Sequence, residues 1–258
     1  MQKYGQVEIV GTAVDAVNLD AVVMQIEEWV EQHQRAYIAC GTVHSLMTAR
    51  TDSAHREALA NADLVTPDGM PLVWLCQRAG HSQCDRVYGP DLLEAVLRHP
   101  GAKSWRHYFL GGAPGVAEKM VARLQLKYPH LIVAGIHSPP FRELSDAENA
   151  TLQAEIESTH PDILWVGLGA PKQEKWMAAH RAAYTVPVMI GIGAAFDFFA
   201  GNKPHAPRWM QRSGLEWFFR LCCEPRRLWR RYLLLNPLFV LICAKERLWR
   251  LFRPSRGR

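Results

Sequence analysis

The stretch Asp162-Ile-Leu-Trp-Val-Gly-Leu-Gly-Ala-Pro-Lys-Gln-Glu-Lys-Trp176 combines an apolar run, a turn of small residues and a charged segment. Residues 163–166 are too few and too rich in β-forming side chains for a helix, so they predict a buried strand. Gly167 and Gly169 permit backbone dihedrals that other residues avoid, and Pro171 suits the first turn of a helix. The stretch therefore predicts a strand, a glycine-rich loop and a helix N-terminus, in that order.

A helix that begins in this way directs its free backbone N–H groups, and the positive end of its dipole, beyond the end of the strand. A phosphate or a sugar hydroxyl fits there, and Lys172 and Gln173 add a cation and an amide side chain. The alternative is an ordinary turn whose lysine and glutamine are solvated, because a glycine-rich turn alone is a weak signal.

The same unit recurs along the chain, since short apolar runs alternate with segments of helical periodicity. Strands are predicted at residues 7–10, 37–40, 63–67, 107–110, 131–135, 163–166 and 186–192. Helices are predicted at 18–34, with Asn18 as its cap, and at 70–77, 89–97, 116–126 and 147–158, and the loop at 41–45 leads into a further helix. This alternation predicts an α/β fold, with a Rossmann-like, mostly parallel sheet and helices on both faces. Ligands bind beyond the carboxyl ends of such strands, so one rim is expected to hold the loops at 40–44, 68, 111–115, 169–173 and 193–197.

Asp68 is the first catalytic candidate because it stands between Pro67 and Gly69 at the end of an apolar strand. A carboxylate on such a fixed backbone, open to a ligand, is suited to act as a general base. The alternative is that Asp68 caps the next helix, a position that aspartate favours. His44 likewise has the alternative of a local hydrogen bond, and no second His or Cys stands near it at metal-ligand spacing, so no metal is predicted.

The loop Gly111-Gly-Ala-Pro-Gly115 follows the strand predicted at 107–110. It lacks the Gly-Lys-Ser/Thr ending of a phosphate-binding P-loop and the spacing of a dinucleotide fingerprint. Neither ATP hydrolysis nor NAD chemistry is therefore indicated, and an oxidoreductase is the least favoured function. Gly112 remains a candidate for holding a nucleotide diphosphate or a base.

Charge is divided unevenly along the 258 residues, whose net charge is +5. Residues 1–201 carry 16 Lys/Arg against 22 Asp/Glu, while residues 202–258 carry 14 against 3. A basic segment of this kind binds polyanions such as nucleic acid, an anionic bilayer surface or a diphosphate-bearing ligand. Residues 1–201 are thus predicted to form the α/β core, and residues 202–258 a basic, aromatic-rich helical appendage.

Two features bear on the cellular compartment. Residues 1–6 are polar and no long apolar segment precedes the first predicted strand, so no secretory signal is predicted. The cysteines have neither C-x-x-C spacing nor a disulfide framework. Reduced thiols in the cytoplasm are expected.

Six motifs follow one another along the chain: Thr66-Pro-Asp-Gly-Met70, Arg86-Val-Tyr-Gly-Pro-Asp-Leu92, Phe109-Leu-Gly-Gly-Ala-Pro-Gly115, Gly167-Leu-Gly-Ala-Pro-Lys-Gln-Glu174, Gly191-Ile-Gly-Ala-Ala-Phe-Asp197, and the series Ala206-Pro207, Glu216-Trp217, Arg220 and Glu224-Pro225. Together, over residues 7–232, they resemble the WecG/TagA/CpsF family of glycosyltransferases, and several motifs in order are far more specific than any one. The resemblance implies inverting, metal-independent transfer of a sugar from a UDP-sugar donor to a polyprenyl-diphosphate-linked saccharide. It places this reaction at the cytoplasmic membrane face, in the synthesis of a bacterial cell-surface polysaccharide.

The resemblance also assigns roles by position. Asp68 matches the family's proposed catalytic base, and Arg86, Gln173 and Asp197 match residues of its substrate pocket. Binding of the donor or the acceptor is further expected of Cys40, Thr42, His44, Gly112, Gly169 and Lys172.

The sequence departs from the family pattern at two loops. The usual Thr-Pro-Asn is replaced by Cys40-Gly41-Thr42, and the Gly-Tyr-Phe that often follows the fourth strand is replaced by Ser138-Pro-Pro-Phe141. The second of these departures indicates a differently shaped pocket and a different sugar.

Arginines and aromatic residues alternate along the appendage. Arg220, Arg227 and Arg230 match arginines that, in the family, are thought to close over the active site and bind the diphosphate. Aromatic bulk at headgroup depth, with arginines on lipid phosphates, is typical of an interfacial helix, and the apolar segment 232–244 is shorter than the ~20 residues of a spanning helix. The appendage is predicted to dock peripherally on the anionic inner face of the cytoplasmic membrane and to complete the active site. The alternative is a packed helical hairpin with solvated arginines.

Two functions remain open: an inverting glycosyltransferase, and a nucleic-acid-binding protein that uses its basic tail. A nucleic-acid binder gains nothing from carboxylates on its ligand rim, so Asp68 and the acidic core favour the enzyme, with no nucleic acid as partner. No cofactor is expected beside the UDP-sugar substrate. The donor sugar, the acceptor saccharide and a homo-oligomeric state are left open by the sequence.

Overall fold

The computed structural model describes residues 4–252, with side chains described for residues 4–246. Residues 1–3 and residues 253–258 of the predicted appendage lie outside the described residues. The strands are β1 (Gln6–Ile9), β2 (Thr12–Asp15), β3 (Ala36–Gly41), β4 (Leu64–Pro67), β5 (Arg106–Gly111), β6 (Ile132–His137), β7 (Ile163–Gly167) and β8 (Val188–Gly191).

The helices of the core are α1 (Leu19–Glu31), α2 (Val43–Ala49), α3 (Ser53–Ala60), α4 (Met70–Arg78), α5 (Gly89–Arg98), α6 (Val116–Lys127), α7 (Asp146–Ser158), α8 (Lys172–His180) and α9 (Ala195–Ala200), with a short 3₁₀ helix at Pro100–Lys103. The appendage contains α10 (Arg208–Arg212), α11 (Glu216–Cys223), α12 (Pro225–Trp229) and α13 (Leu235–Phe252), and a π-helical turn at Arg230–Leu234 joins the last two.

Strands β3 to β8 form one parallel sheet in the order β4-β3-β8-β7-β5-β6. On one face, Ile38 and Trp165 pack with side chains of α1, α5 and α6. On the other face, Tyr108 and Leu164 pack with side chains of α7 and α8. The predicted α/β fold, with a parallel sheet and helices on both faces, is confirmed.

Local sequence explains where the helices begin. The Asn18 side chain accepts a hydrogen bond from the Ala21 N–H at 3.0 Å and caps α1, as predicted. Ser145 and Glu148 form a reciprocal capping box at the start of α7. α1 ends at Glu31, before the predicted position 34, because the chain turns at His33, where φ is +50°.

The N-terminal segment differs from the single strand predicted at residues 7–10. β1 and β2 form an antiparallel hairpin apart from the main sheet, and its turn holds Val10 and Gly11 at φ values of +45° and +85°. Turns with two positive φ values match the twist of the flanking strands, but valine gives no signal for them. Asp15 accepts a hydrogen bond from the Val65 N–H at 2.8 Å, which joins the hairpin to β4.

Two short helices, α3 and α9, are not among the predicted ones. Asp52 caps α3 by accepting a hydrogen bond from the His55 N–H at 3.0 Å. α9 lies where a loop was expected after the last strand, and Phe196 and Phe198 on this helix are buried. Neither segment is long enough to show a clear helical period.

The appendage packs across the carboxyl edge of the sheet, beside α2 and α4. Leu228, Tyr232 and Phe239 are its buried anchors, and Phe239 joins a cluster with Leu46 and Leu72 of the core. Within residues 4–252, no helix is both long and apolar enough to cross a membrane.

Candidate functional site

Asp68 lies between the end of β4 and the start of α4. Its backbone N–H donates to the Gly41 carbonyl at 3.0 Å, which fixes Asp68 beside the end of β3. Gly69 is the N-cap residue of α4, and no side chain of the described residues caps this helix. The alternative role of Asp68 as a helix cap is therefore wrong, and its carboxylate faces the space beyond the sheet.

A cavity of about 440 Å³ opens beside Asp68, between the ends of β3 and β4 and the appendage. The appendage supplies more than half of the residues in its wall. The polar lining side chains are Thr42, His44, Asp68, Arg86, Tyr88, Gln211, Glu216, Arg220, Arg231, Tyr232 and Asn236. The predicted residues Thr42, His44, Asp68, Arg86 and Arg220 are thus brought together.

Arg86 links the core to the appendage at the floor of this cavity. Its Nη2 lies 3.4 Å from Asp68 Oδ1 and 2.5 Å from Glu216 Oε2, and its guanidinium stacks 4.1 Å above the Tyr88 ring. Burial raises the pKa of Asp68 to about 6, an effect that Arg86 opposes and Glu216 reinforces. A carboxylate in this range is ionised at neutral pH and is still basic enough to take a proton from a hydroxyl.

Cationic and neutral donors complete the polar wall. Arg231 lines the cavity, and its buried Nε has no hydrogen-bond partner among the described residues. Burial lowers the pKa of His44 to about 4, with Arg231 and His55 adding to the effect, so this imidazole is neutral at pH 7. The cavity therefore presents the carboxylates of Asp68 and Glu216, one neutral imidazole and arginine donors that fit an anion.

A sequence model described as the glycosyl transferase WecG/TagA/CpsF family matches residues 7–253. The chain belongs to this family. A relative in Bacillus subtilis (strain 168), an N-acetylglucosaminyldiphosphoundecaprenol N-acetyl-beta-D-mannosaminyltransferase, is 30% identical over 84% of this chain and 82% of its own length. A relative of the same name in Staphylococcus aureus (strain MRSA252) is 27% identical over 87% of both chains. The resemblance seen in the motifs is confirmed, and the protein is a glycosyltransferase.

The other half of the rim in this WecG/TagA/CpsF member is held together by its own side chains. Gln173 Oε1 accepts a hydrogen bond from the Gly169 N–H at 3.1 Å, and Gln173 Nε2 donates to Glu174 Oε1 at 2.9 Å. The amide also packs on β8, because a Cβ at Gly191 would come within 2.9 Å of Gln173 Nε2. Gln173 and Gly169 lie on the predicted rim, but in this structure they brace the loop and do not line the cavity.

Glu174 is a second buried carboxylate, and its side chain does not line the cavity that holds Asp68. It is 0% exposed, and its Oε2 has no hydrogen-bond partner among the described residues. Burial raises its pKa to about 7, although the hydrogen bond from Gln173 works in the opposite direction. Sequence reasoning missed Glu174, although it ends one of the quoted motifs.

Four more of the predicted core residues lie away from this cavity. Asp197 pairs with Lys203 Nζ at 2.7 Å, and the Gly112 N–H donates to the Gly167 carbonyl at 3.2 Å. Cys40 is buried, and burial raises the pKa of its thiol. Lys172 lines a different cavity of about 470 Å³, together with Arg142 and Trp176. Their roles in binding the donor or the acceptor stay predictions.

The appendage arginines separate into two groups. Arg220 and Arg231 line the cavity, whereas the exposed Arg227 pairs with Glu224 at 2.5 Å and Arg230 lies 5.2 Å from the centre of the Trp229 ring. Arg227 and Arg230 stay predicted diphosphate ligands that this structure does not bring to the cavity. Arg231 was missed because the family pattern points to its neighbour.

In the part of the chain that the structure describes, no group of three or more His, Cys, Asp or Glu residues is arranged to hold a metal ion. The cysteines are free thiols, as the sequence predicts.

Proposed function

We propose that this glycosyltransferase moves a sugar from a UDP-sugar to a polyprenyl-diphosphate-linked saccharide. The observation that carries the proposal is the single cavity wall shared by Asp68, Arg220 and Arg231. A general base and diphosphate-binding guanidiniums are the two chemical functions that this transfer requires. The acceptor in the name of the Bacillus subtilis relative, N-acetylglucosaminyldiphosphoundecaprenol, belongs to the same class and supports the assignment.

In the proposed reaction, Asp68 accepts the proton of the acceptor hydroxyl as its oxygen attacks the anomeric carbon. The bond from that carbon to the donor diphosphate breaks, and UDP leaves with the bonding electrons. One displacement inverts the anomeric configuration, so an α-linked donor gives a β-linked product. Arg220 and Arg231 stabilise negative charge in the cavity, which supports a metal-independent mechanism.

We further propose that the enzyme works on the inner face of the cytoplasmic membrane as a peripheral protein. The appendage exposes apolar side chains beside its arginines, including Trp209, Phe218, Trp229, Leu234 and Leu238. Such a surface suits the headgroup region of an anionic bilayer, and its adhesion to anionic vesicles should weaken as salt is added.

The test is a transfer assay with a panel of UDP-sugars, UDP-N-acetylmannosamine included, and a short-chain prenyl-diphosphate-linked GlcNAc or glucose. Mass spectrometry of the product identifies the donor from the mass added, and NMR should show a β linkage from an α donor. Absence of any transfer across the panel would refute the proposed substrates, and an α linkage would refute the single displacement.

Two further arms probe the remaining expectations. Activity should be complete in EDTA; dependence on added Mg²⁺ or Mn²⁺ would refute the metal-independent mechanism. UDP should raise the unfolding temperature at moderate salt, whereas a short oligonucleotide should not. The reverse result would support the nucleic-acid-binding alternative.

A further inference from the structure

The cavity beside Asp68 has an apolar wall that the proposed sugar-transfer chemistry does not use. Helix α4 contributes Met70, Pro71 and Trp74 to this wall. The end of the appendage faces them with Leu233, Pro237, Phe239 and Val240. Two segments that are far apart in the chain therefore build an apolar cleft next to a charged one.

The apolar wall reaches the surface of the protein. Trp74, Leu233 and Val240 line the cavity and are still 42%, 52% and 63% exposed, so they stand where the cavity meets solvent. The appendage also closes against the Trp74 ring, because a Cβ at Gly214 would come within 2.8 Å of it. The cleft is therefore open at its mouth and supported behind Trp74.

Charge and apolar surface in one cavity restrict the ligand that fits it. Arg220 and Arg231 suit a diphosphate, and a chain attached to that diphosphate and leaving along the apolar wall must itself be apolar. Leu234 and Leu238 are close in sequence to the residues at the mouth of the cavity. Their exposed side chains add to the apolar surface of this part of the appendage.

We propose that the wall formed by Met70, Trp74, Leu233, Pro237 and Val240, here called the prenyl subsite, binds the first isoprene units of the acceptor lipid. The identity of the ligand rests on the proposed function. The subsite holds the lipid chain between α4 and α13, so that the acceptor diphosphate shares the two arginines with the leaving UDP and the acceptor sugar lies at Asp68. The enzyme then distinguishes a prenyl diphosphate from other diphosphates before any contact with a bilayer.

The experiment is a calorimetric titration of the full chain, without detergent or membrane, with farnesyl diphosphate and with methyl diphosphate. Each methylene that leaves water strengthens binding about fourfold, so farnesyl diphosphate should bind at least tenfold more tightly. Equal affinities, or no binding of either compound, would overturn the proposal. The farnesyl diphosphate concentration stays below that at which it forms micelles.

Two adjacent residues of α13 provide the matched variants. Val240 lines the cavity and Leu241 does not, yet both are exposed, at 63% and 66%. Val240→Asp should reduce farnesyl diphosphate affinity about tenfold and leave methyl diphosphate affinity unchanged, while Leu241→Asp should change neither. Similar losses in both variants would show that the chain binds to the general apolar surface and would overturn the subsite.

Trp74→Ala on the opposite wall gives an independent test. This variant should reduce the ratio of the farnesyl diphosphate affinity to the methyl diphosphate affinity by about tenfold. An unchanged difference in this variant counts against the subsite. Because the titrations require no turnover, a failure of sugar transfer with normal farnesyl selectivity would reject the proposed reaction and leave the prenyl subsite standing.

Discussion

The carboxyl edge of the sheet has two halves, in which similar polar residues have different roles. At the ends of β3 and β4, the polar side chains of Asp68, Arg86 and His44 face a cavity. At the ends of β7 and β8, Gln173 donates a hydrogen bond to Glu174 and accepts one from the Gly169 N–H. Both halves contain a carboxylate whose pKa is raised by burial, to about 6 for Asp68 and about 7 for Glu174.

A polar motif at a strand end can therefore have either of two roles. A side chain there either faces a ligand or fixes the loop that does. The appendage covers the first half and turns it into a cavity, whereas internal hydrogen bonds hold the Gln173 amide in the second half.

Asp68→Asn should reduce sugar transfer by ~10²–10⁴-fold, the usual contribution of general-base catalysis. The fold and UDP-sugar binding should survive, because the carboxylate does not cap α4. Single-turnover rates and calorimetric binding measure the two quantities separately. Asp91→Asn, which removes the surface partner of Arg208, is the control. Near-normal turnover of Asp68→Asn would show that another group is the base. The contrast between the two halves of the carboxyl edge would then be lost.

Arg231→Ala should lower the transfer rate by about 10²-fold, as expected for the loss of one donor that stabilises developing charge. Arg230→Ala should cost much less, since Arg230 lies on Trp229 outside the cavity. The matched pair is compared in detergent with a short-chain acceptor, and thermal unfolding checks the fold. A larger loss in Arg230→Ala would favour the family-based assignment over the observed geometry.

The pH profile separates the two carboxylates. If Asp68 must be ionised, kcat/KM should fall about tenfold per pH unit below about pH 6, the value to which its pKa is raised. Glu174→Gln should keep that midpoint, because Glu174 does not line the cavity. A wild-type midpoint near pH 7 that disappears in Glu174→Gln would show that Glu174, and not Asp68, is the titrating group. The proposed contrast between the two halves of the rim would then be wrong.

Glu174→Gln should act mainly on stability. Burial raises the pKa of Glu174 from 4.5 to about 7, so the folded state binds more protons than the unfolded state between these values, and the free energy of unfolding falls as pH rises through them. The neutral amide removes this loss, which amounts to roughly 3 kcal/mol at most above pH 7. Denaturant unfolding at pH 5 and pH 8 measures it, with exposed Glu8→Gln as the control. Equal pH dependence in wild type and Glu174→Gln would contradict the prediction.

Periodicity and turn chemistry predict most of the core. The apolar runs at β5 and β7, the Asn18 cap and the glycine loops all express local preferences that tertiary packing reinforces. The hairpin was missed because Val10 adopts a positive φ that valine seldom shows. The position of Asp68 beside a cavity could be predicted because it depends on one strand end and one turn.

The cavity wall could not be predicted to the same depth. Its arginines depend on how the appendage docks, and the π-helical turn Arg230–Leu234 changes the helical phase at this point. Neighbouring residues of a helix point about 100° apart, so spacing alone cannot decide between Arg230 and Arg231. Glu216 could not be predicted for a similar reason, since its pairing with Arg86 joins residues that are distant in the chain.

The position of the cavity wall late in the chain has a consequence for biosynthesis. All strands of the sheet precede α9, whereas Glu216, Arg220, Arg231 and Val240 follow Gly201. Ribosomes add about 5–20 residues per second, so some seconds separate synthesis of the last strand from that of the last cavity residue. A nascent chain can thus complete its sheet with Asp68 in place while it still lacks the arginines and the apolar wall. The proposed active-site cavity is therefore completed only after the sheet has been synthesised.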